Sequence, residues 1–174
     1  MADPIALACA ARGIPLPPPL AAFHAGGAAW RGRAHIERGR RFPVPLLLGW
    51  GGFPPEAAEV PVTVEVRLTA TGATWVRRFG THVTRSDLRF LPERALVSER
   101  LGPFRLLMAP EPVAGGFALR IVGLSLWGLP APRALHPKAA VREVAEGDML
   151  SFDIGASLPL FGPLIRYRGT LSPQ

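Results

Sequence analysis

Cysteine, lysine and tyrosine are almost missing from this sequence of 174 residues: Cys9, Lys138 and Tyr167 are the sole examples. One cysteine excludes an intramolecular disulfide framework and any cysteine-rich metal site. No run approaches the ~20 apolar residues that a membrane-crossing helix needs. Gly-x-Gly-x-x-Gly, Gly-x-x-x-x-Gly-Lys-Ser/Thr and Gly-x-Ser-x-Gly are absent, so neither a dinucleotide fold, a phosphate loop nor a hydrolase elbow is signalled. His24, His35, His82 and His136 are scattered without paired zinc-ligand spacing, and no His-Glu-x-x-His occurs. No metal or cofactor is therefore expected, and Cys9, in a Pro/Ala-rich start, is a poor candidate nucleophile.

What is abundant is Pro and Gly, 20 and 19 residues, beside 48% hydrophobic residues. That balance supports a buried core built from many short segments joined by turns. The length fits one domain. The net charge is +7 and the isoelectric point about 11.3. Nineteen of the 20 basic residues are Arg, a skew that compositional drift in a GC-rich genome explains. Read functionally, Arg suits planar recognition of carboxylate or phosphate. Arg31–Arg41 is Arg- and Gly-rich, but Glu37 interrupts it and stacking aromatics are not gathered there, which argues against nucleic acid as a partner. Asp3 precedes the short apolar run Ile5–Ala11 where a secretory leader would be basic, so the expectation is a cytoplasmic protein with no membrane span.

Residues 1–27 form a Pro/Ala-rich segment in which Pro15, Pro17, Pro18 and Pro19 forbid a long helix. Residues 28–174 read as a single β-rich domain of period two. In Pro61–Thr69, Val62, Val64, Val66 and Leu68 face one way and Thr63, Glu65, Arg67 and Thr69 the other. Thr71-Gly72 signals a turn, and Ala73–Phe79 reads as the return strand. Further strands are expected at Trp30–Glu37, His82–Leu91, Arg94–Leu101, Phe104–Ala109, Phe117–Trp127, Ala139–Ala145, Leu150–Leu158 and Leu164–Leu171. The apolar stretch Leu46–Phe53 breaks the pattern and is left as a short helix, a lid or a packed loop. About ten short strands in sequence predict an antiparallel meander, most simply closed into a barrel because closure removes exposed edges. The alternative is a two-sheet sandwich. The N-terminal segment and the Leu46–Phe53 loop are expected to cover one mouth of the barrel.

Several local motifs taken together carry a resemblance. They are Gly32 with Ile36-Glu37-Arg38-Gly39, Gly49 through Phe53-Pro54-Pro55, and Pro61-Val62-Thr63-Val64. Trp75-Val76-Arg77-Arg78-Phe79-Gly80, Glu99-Arg100-Leu101-Gly102-Pro103-Phe104 and Gly128-Leu129-Pro130 follow. Phe152-Asp153-Ile154 and Gly162 through Gly169 complete the set. Over roughly residues 28–171 the chain resembles a bacterial domain family of unknown function. Its members stand alone or follow a saccharopine-dehydrogenase-like NAD-binding domain. The resemblance implies a single β-rich bacterial domain and an oxidoreductase as a conceivable partner, and it carries no catalytic residues over. Thr170 stands where members often have an aromatic, and the Pro-broken Arg41–Gly52 where they have a longer helical segment.

The candidate chemistry follows from strand geometry. Glu99 and Arg100 are neighbours on a strand, so one faces inward. An inward Glu99 has the signature of a general acid or base, or else forms a structural pair with an Arg. On the last strand Arg166 and Arg168 share one face and Tyr167 takes the other. Either Arg166 and Arg168 grip an anion or oxyanion, or Tyr167 lines the interior as a proton donor. Trp75, Arg77 and Phe79 share a face suited to a flat ligand or to cation–π packing. His82 is an alternate acid or base, and Trp50 in the apolar loop a ligand contact. The expected function is binding of a hydrophobic or amphipathic small molecule, with an anionic or carbonyl group, inside the barrel. The alternatives are a cofactor-independent cyclase, isomerase or hydrolase on the same scaffold, and an interaction module partnering an NAD-binding oxidoreductase.

Overall fold

The alternation of the sequence becomes eleven antiparallel strands in the computed structural model, which describes residues 2–174. They are β1 (Ala29–Arg38), β2 (Ala57–Thr69), β3 (Gly72–Phe79), β4 (His82–Leu91), β5 (Leu96–Leu101) and β6 (Phe104–Val113). Then come β7 (Gly116–Leu126), the two-residue β8 (Leu129–Pro130), β9 (Lys138–Glu146), β10 (Met149–Leu158) and β11 (Gly162–Pro173). The order is β6-β5-β4-β3-β2-β1-β11-β10-β9-β7, and β6 pairs with β7 to close a ten-stranded barrel. β8 adds only to β7. The barrel, not the sandwich, is the architecture, and every edge but a short one is paired away.

Register fixes which side chains point inward. Val62, Val64 and Val66 of β2 face Phe79, Arg77 and Trp75 of β3 across the ladder, and all six are buried. On β11, Ile165, Tyr167 and Leu171 are buried while Arg166 and Arg168 are exposed. One seam is incomplete. β7 pairs with β9 only over Gly116–Leu119, then continues alongside β6 to β8, so Lys138–Ala140 of β9 are paired with β10 on one side alone.

Three short helices close the barrel's ends. Each opens with proline in its first turn, where a missing N–H costs nothing. α1 (Pro4–Ala11) and α2 (Pro18–His24) pack across the end defined by the start of β5 and the end of β9. Arg12 Nε donates to the Ala95 carbonyl at 2.9 Å to fasten them. α3 (Val44–Trp50) lies at the other end, with Leu48 buried and the Trp50 carbonyl against the β5–β6 turn. Gly102 makes that approach possible. Its φ is +54°, and a Cβ there would fall 2.4 Å from the Trp50 oxygen. The expectation that both apolar segments share one mouth is therefore corrected: the N-terminal helices plug one end and α3 roofs the opposite one. Hairpin connectivity explains it, since the segment before β1 and the segment between β1 and β2 leave β1 from opposite ends.

Candidate functional site

The half of the barrel beneath α3 is hollow. A cavity of about 440 Å³ lies there, walled mainly by apolar residues such as Leu106, Met108, Val141, Ile154 and Ile165. Among the described residues, four polar side chains reach it: Arg77, Thr84, Glu99 and Tyr167. They come from β3, β4, β5 and β11, inward positions on four strands, so the barrel itself sets their geometry.

Arg77 and Glu99 form its charged centre. Arg77 Nη2 donates to Glu99 Oε1 at 3.2 Å and Nη1 to Ser86 Oγ at 2.9 Å. The guanidinium carbon lies 4.7 Å from the Trp75 ring centroid, a cation–π contact. Burial opposes the Arg77 charge, but the Glu99 carboxylate outweighs it and raises the arginine pKa further. The pair is thus ionic and neutral overall. Tyr167 is opposite in character. Burial pushes its phenol up to about 12, with Arg77 lowering and Glu99 and Glu143 raising it. It is a protonated donor near neutrality, carried on the cavity wall close to the Arg77–Glu99 pair.

A second polar cluster sits deeper, at the helical plug. His24 Nδ1 lies 2.6 Å from Asp3 Oδ2, and Nε2 lies 3.1 Å from Glu143 Oε2. Trp75 Nε1 donates to Asp3 Oδ1 at 3.1 Å. Asp3 stands where a helix cap would, yet its carboxylate makes no cap bond and turns inward instead. Burial alone would lower the His24 pKa. The hydrogen bonds and charges of Asp3 and Glu143 overcome that and raise it to about 9, so His24 is an imidazolium bridging two carboxylates. Trp75 joins the clusters, its indole N–H on Asp3 and its ring against Arg77. Cys9 is fully buried beside them, and burial, then Glu143 and Asp3, push its thiol up to about 12. A thiol so protonated is a weak nucleophile.

The expected site residues separate into two groups. Glu99, Tyr167, Arg77 and Phe79 line the cavity together. Trp75 is inward but lies beneath it, between the clusters. His82 is at the rim, where its Nε2 lies 3.0 Å from the Gly52 carbonyl, and Thr84 Oγ1 donates to the same oxygen at 2.8 Å. Both hold the loop after α3. Arg166 is outside, bonded to Asp153 at 2.9 and 2.6 Å. Arg168 is outside near Glu37, and Arg100 is exposed on β5. The odd-numbered face of β11 is the inner one, so Arg166 and Arg168 do not face the cavity. Trp50 is on the outer end of α3, its ring 5.2 Å from that of Trp127. Sequence reasoning missed Asp3, His24, Glu143 and Thr84. Asp3 and Glu143 lie 21 and 119 positions from His24, and no local pattern links them.

A model of the family described as Domain of unknown function (DUF4166) matches residues 16–171 of the chain. No protein of curated function matches. Among solved structures, the crystal structure of Rv2717c from M. tuberculosis is similar, at a TM-score of 0.48 and 16% identity, covering 92% of this chain and 99% of that one.

Proposed function

The chain belongs to this family of unknown function, so its role rests on its own geometry, and we propose that the barrel binds a mostly apolar small molecule with one hydrogen-bonding oxygen at its inner end. The observation that carries this is an apolar cavity of about 440 Å³ in which Arg77, Glu99 and Tyr167 lie close together, with Thr84 apart at the rim. Tyr167 offers an O–H, and the Arg77–Glu99 pair offers a polar but neutral surface. A carbonyl or hydroxyl suits that surface. A free carboxylate would instead meet the like charge of Glu99 at close range.

Native mass spectrometry of freshly purified protein, beside a denatured run, tests the reading. A reproducible mass excess that vanishes on denaturation is expected. Tyr167→Phe keeps the ring and removes the O–H. It is expected to weaken retention of that ligand by roughly five- to tenfold, the worth of one hydrogen bond, with little change in melting temperature. Absence of any retained or added apolar ligand, or full affinity in Tyr167→Phe, overturns it.

One observation favours a second reading: Glu99 and the Tyr167 phenol are a base and an acid facing one mainly apolar cavity. A proton-shuttling isomerisation or cyclisation needs that pairing. Glu99→Gln separates the two readings, since binding should largely survive in both while turnover collapses only in the second. The oxidoreductase partnership implied by the sequence resemblance has no further support in the geometry.

A further inference from the structure

The two ends of the barrel differ in what they show to solvent. At the α3 end, Phe42, Trp127, Leu129 and Leu160 are 82, 66, 74 and 84% exposed, and Trp50 is 42% exposed. They project from the β1–β2, β7–β9 and β10–β11 connections, which are consecutive around the rim because β1, β11, β10, β9 and β7 are consecutive in the barrel. Trp50 and Trp127 meet across it. At the plugged end the large exposed apolar residues are Leu7 and Met149.

Charge follows the same division. The rim connections hold Arg40, Arg41 and Arg133, with Lys138 at the base of β9, against the single acid Glu56. Glu56 pairs with Arg40, and Arg41, Arg133 and Lys138 have no acidic partner among the described residues. The plugged end exposes Glu93, Glu146 and Asp148 against Arg12 and Arg94. A groove of about 600 Å³ on the outer face of the incomplete β7–β9 seam brings Arg133, His136 and Lys138 beside Leu160, with Arg120 there paired to Glu111. It shares Ile121, Pro137 and Ala139 with the wall of the inner cavity.

We propose that the α3 end docks on an anionic bilayer surface. An exposed collar containing two tryptophans, ringed by unpaired cations, is the composition that seats in a headgroup layer. A protein partner would also accept an apolar collar. The cations and the cationic groove favour an anionic surface, and the acidic opposite end orients the molecule away from it. The inference is independent of what fills the cavity.

Co-sedimentation with vesicles of phosphatidylcholine alone, and with about 30 mol% phosphatidylglycerol added, tests it. Binding is expected to be at least about tenfold stronger to the anionic vesicles, given about 1 kcal/mol per basic residue near such a surface. The double variant Trp127→Glu/Leu160→Asp changes only exposed positions and should lose about tenfold or more, whereas Met149→Glu at the far end should match wild type. Circular-dichroism melts of each variant confirm the fold. Three results overturn the proposal: no vesicle binding, binding that ignores the rim substitutions, or a solution dimer that the double variant dissociates. The last would assign the collar to a second copy of the chain.

Discussion

Arg77→Met is expected to destabilise the protein by about 3–5 kcal/mol, as much as truncating a large core side chain, because it strands the Glu99 carboxylate in an apolar wall. Both side chains are only 11% exposed. The double variant Arg77→Met/Glu99→Met removes the charge on both sides and should return to within about 1–2 kcal/mol of wild type, since a buried ion pair roughly offsets its own desolvation. Urea unfolding of the three proteins gives the comparison. A single variant that costs under about 1 kcal/mol would mean that water enters the cavity and solvates Glu99. An apolar ligand would then lose its main driving force, and the binding reading would weaken with it.

The second large effect is one of pH. His24 rises from its ordinary 6.5 to about 9 on folding. The folded state thus binds this proton more tightly than the unfolded chain does. The stabilisation is fully present below pH 6.5 and is lost as pH rises through about 9. A raised pKa of that kind corresponds to a few kcal/mol, at about 1.4 kcal/mol per unit. Urea midpoints at about pH 6 and about pH 10 should differ accordingly in wild type, and the His24 share of that difference should vanish in His24→Gln. His24→Gln is itself expected to cost about 3–5 kcal/mol at about pH 6, because Asp3 and Glu143 then face each other without a cation. An unchanged pH profile in the variant would show that His24 is not charged in the native state.

Period two was enough to find the ten barrel strands, because strand faces repeat every second residue and the separators are turn-forming. β8 escaped, being two residues long. The inner faces were harder. Arg166 and Tyr167 are equally good inward candidates in the sequence, and the register of β11 against β1 and β10 decides in favour of Tyr167. Trp75, Arg77 and Phe79 were legible as one face because three bulky residues alternate with Val76 and Arg78. The Asp3–His24–Glu143 bridge was not, since tertiary packing alone brings a helix start, a helix end and β9 together. Nor could the sequence place α3 and the N-terminal helices at opposite ends without knowing how β1 runs.

The plug also imposes an order of assembly. Asp3 and His24 are synthesised before their partners Trp75 and Glu143, which lie 72 and 119 positions further along the chain. During synthesis α1 can seat on β4–β6 early, whereas α2 has no seat until β9 and β10 have emerged and joined the wall. Contacts of such long range are slow to form, because the intervening chain must be ordered before they reward it. The helices therefore act as a clasp fastened late, which holds β3 to β9 across the barrel after the hairpins between them are made.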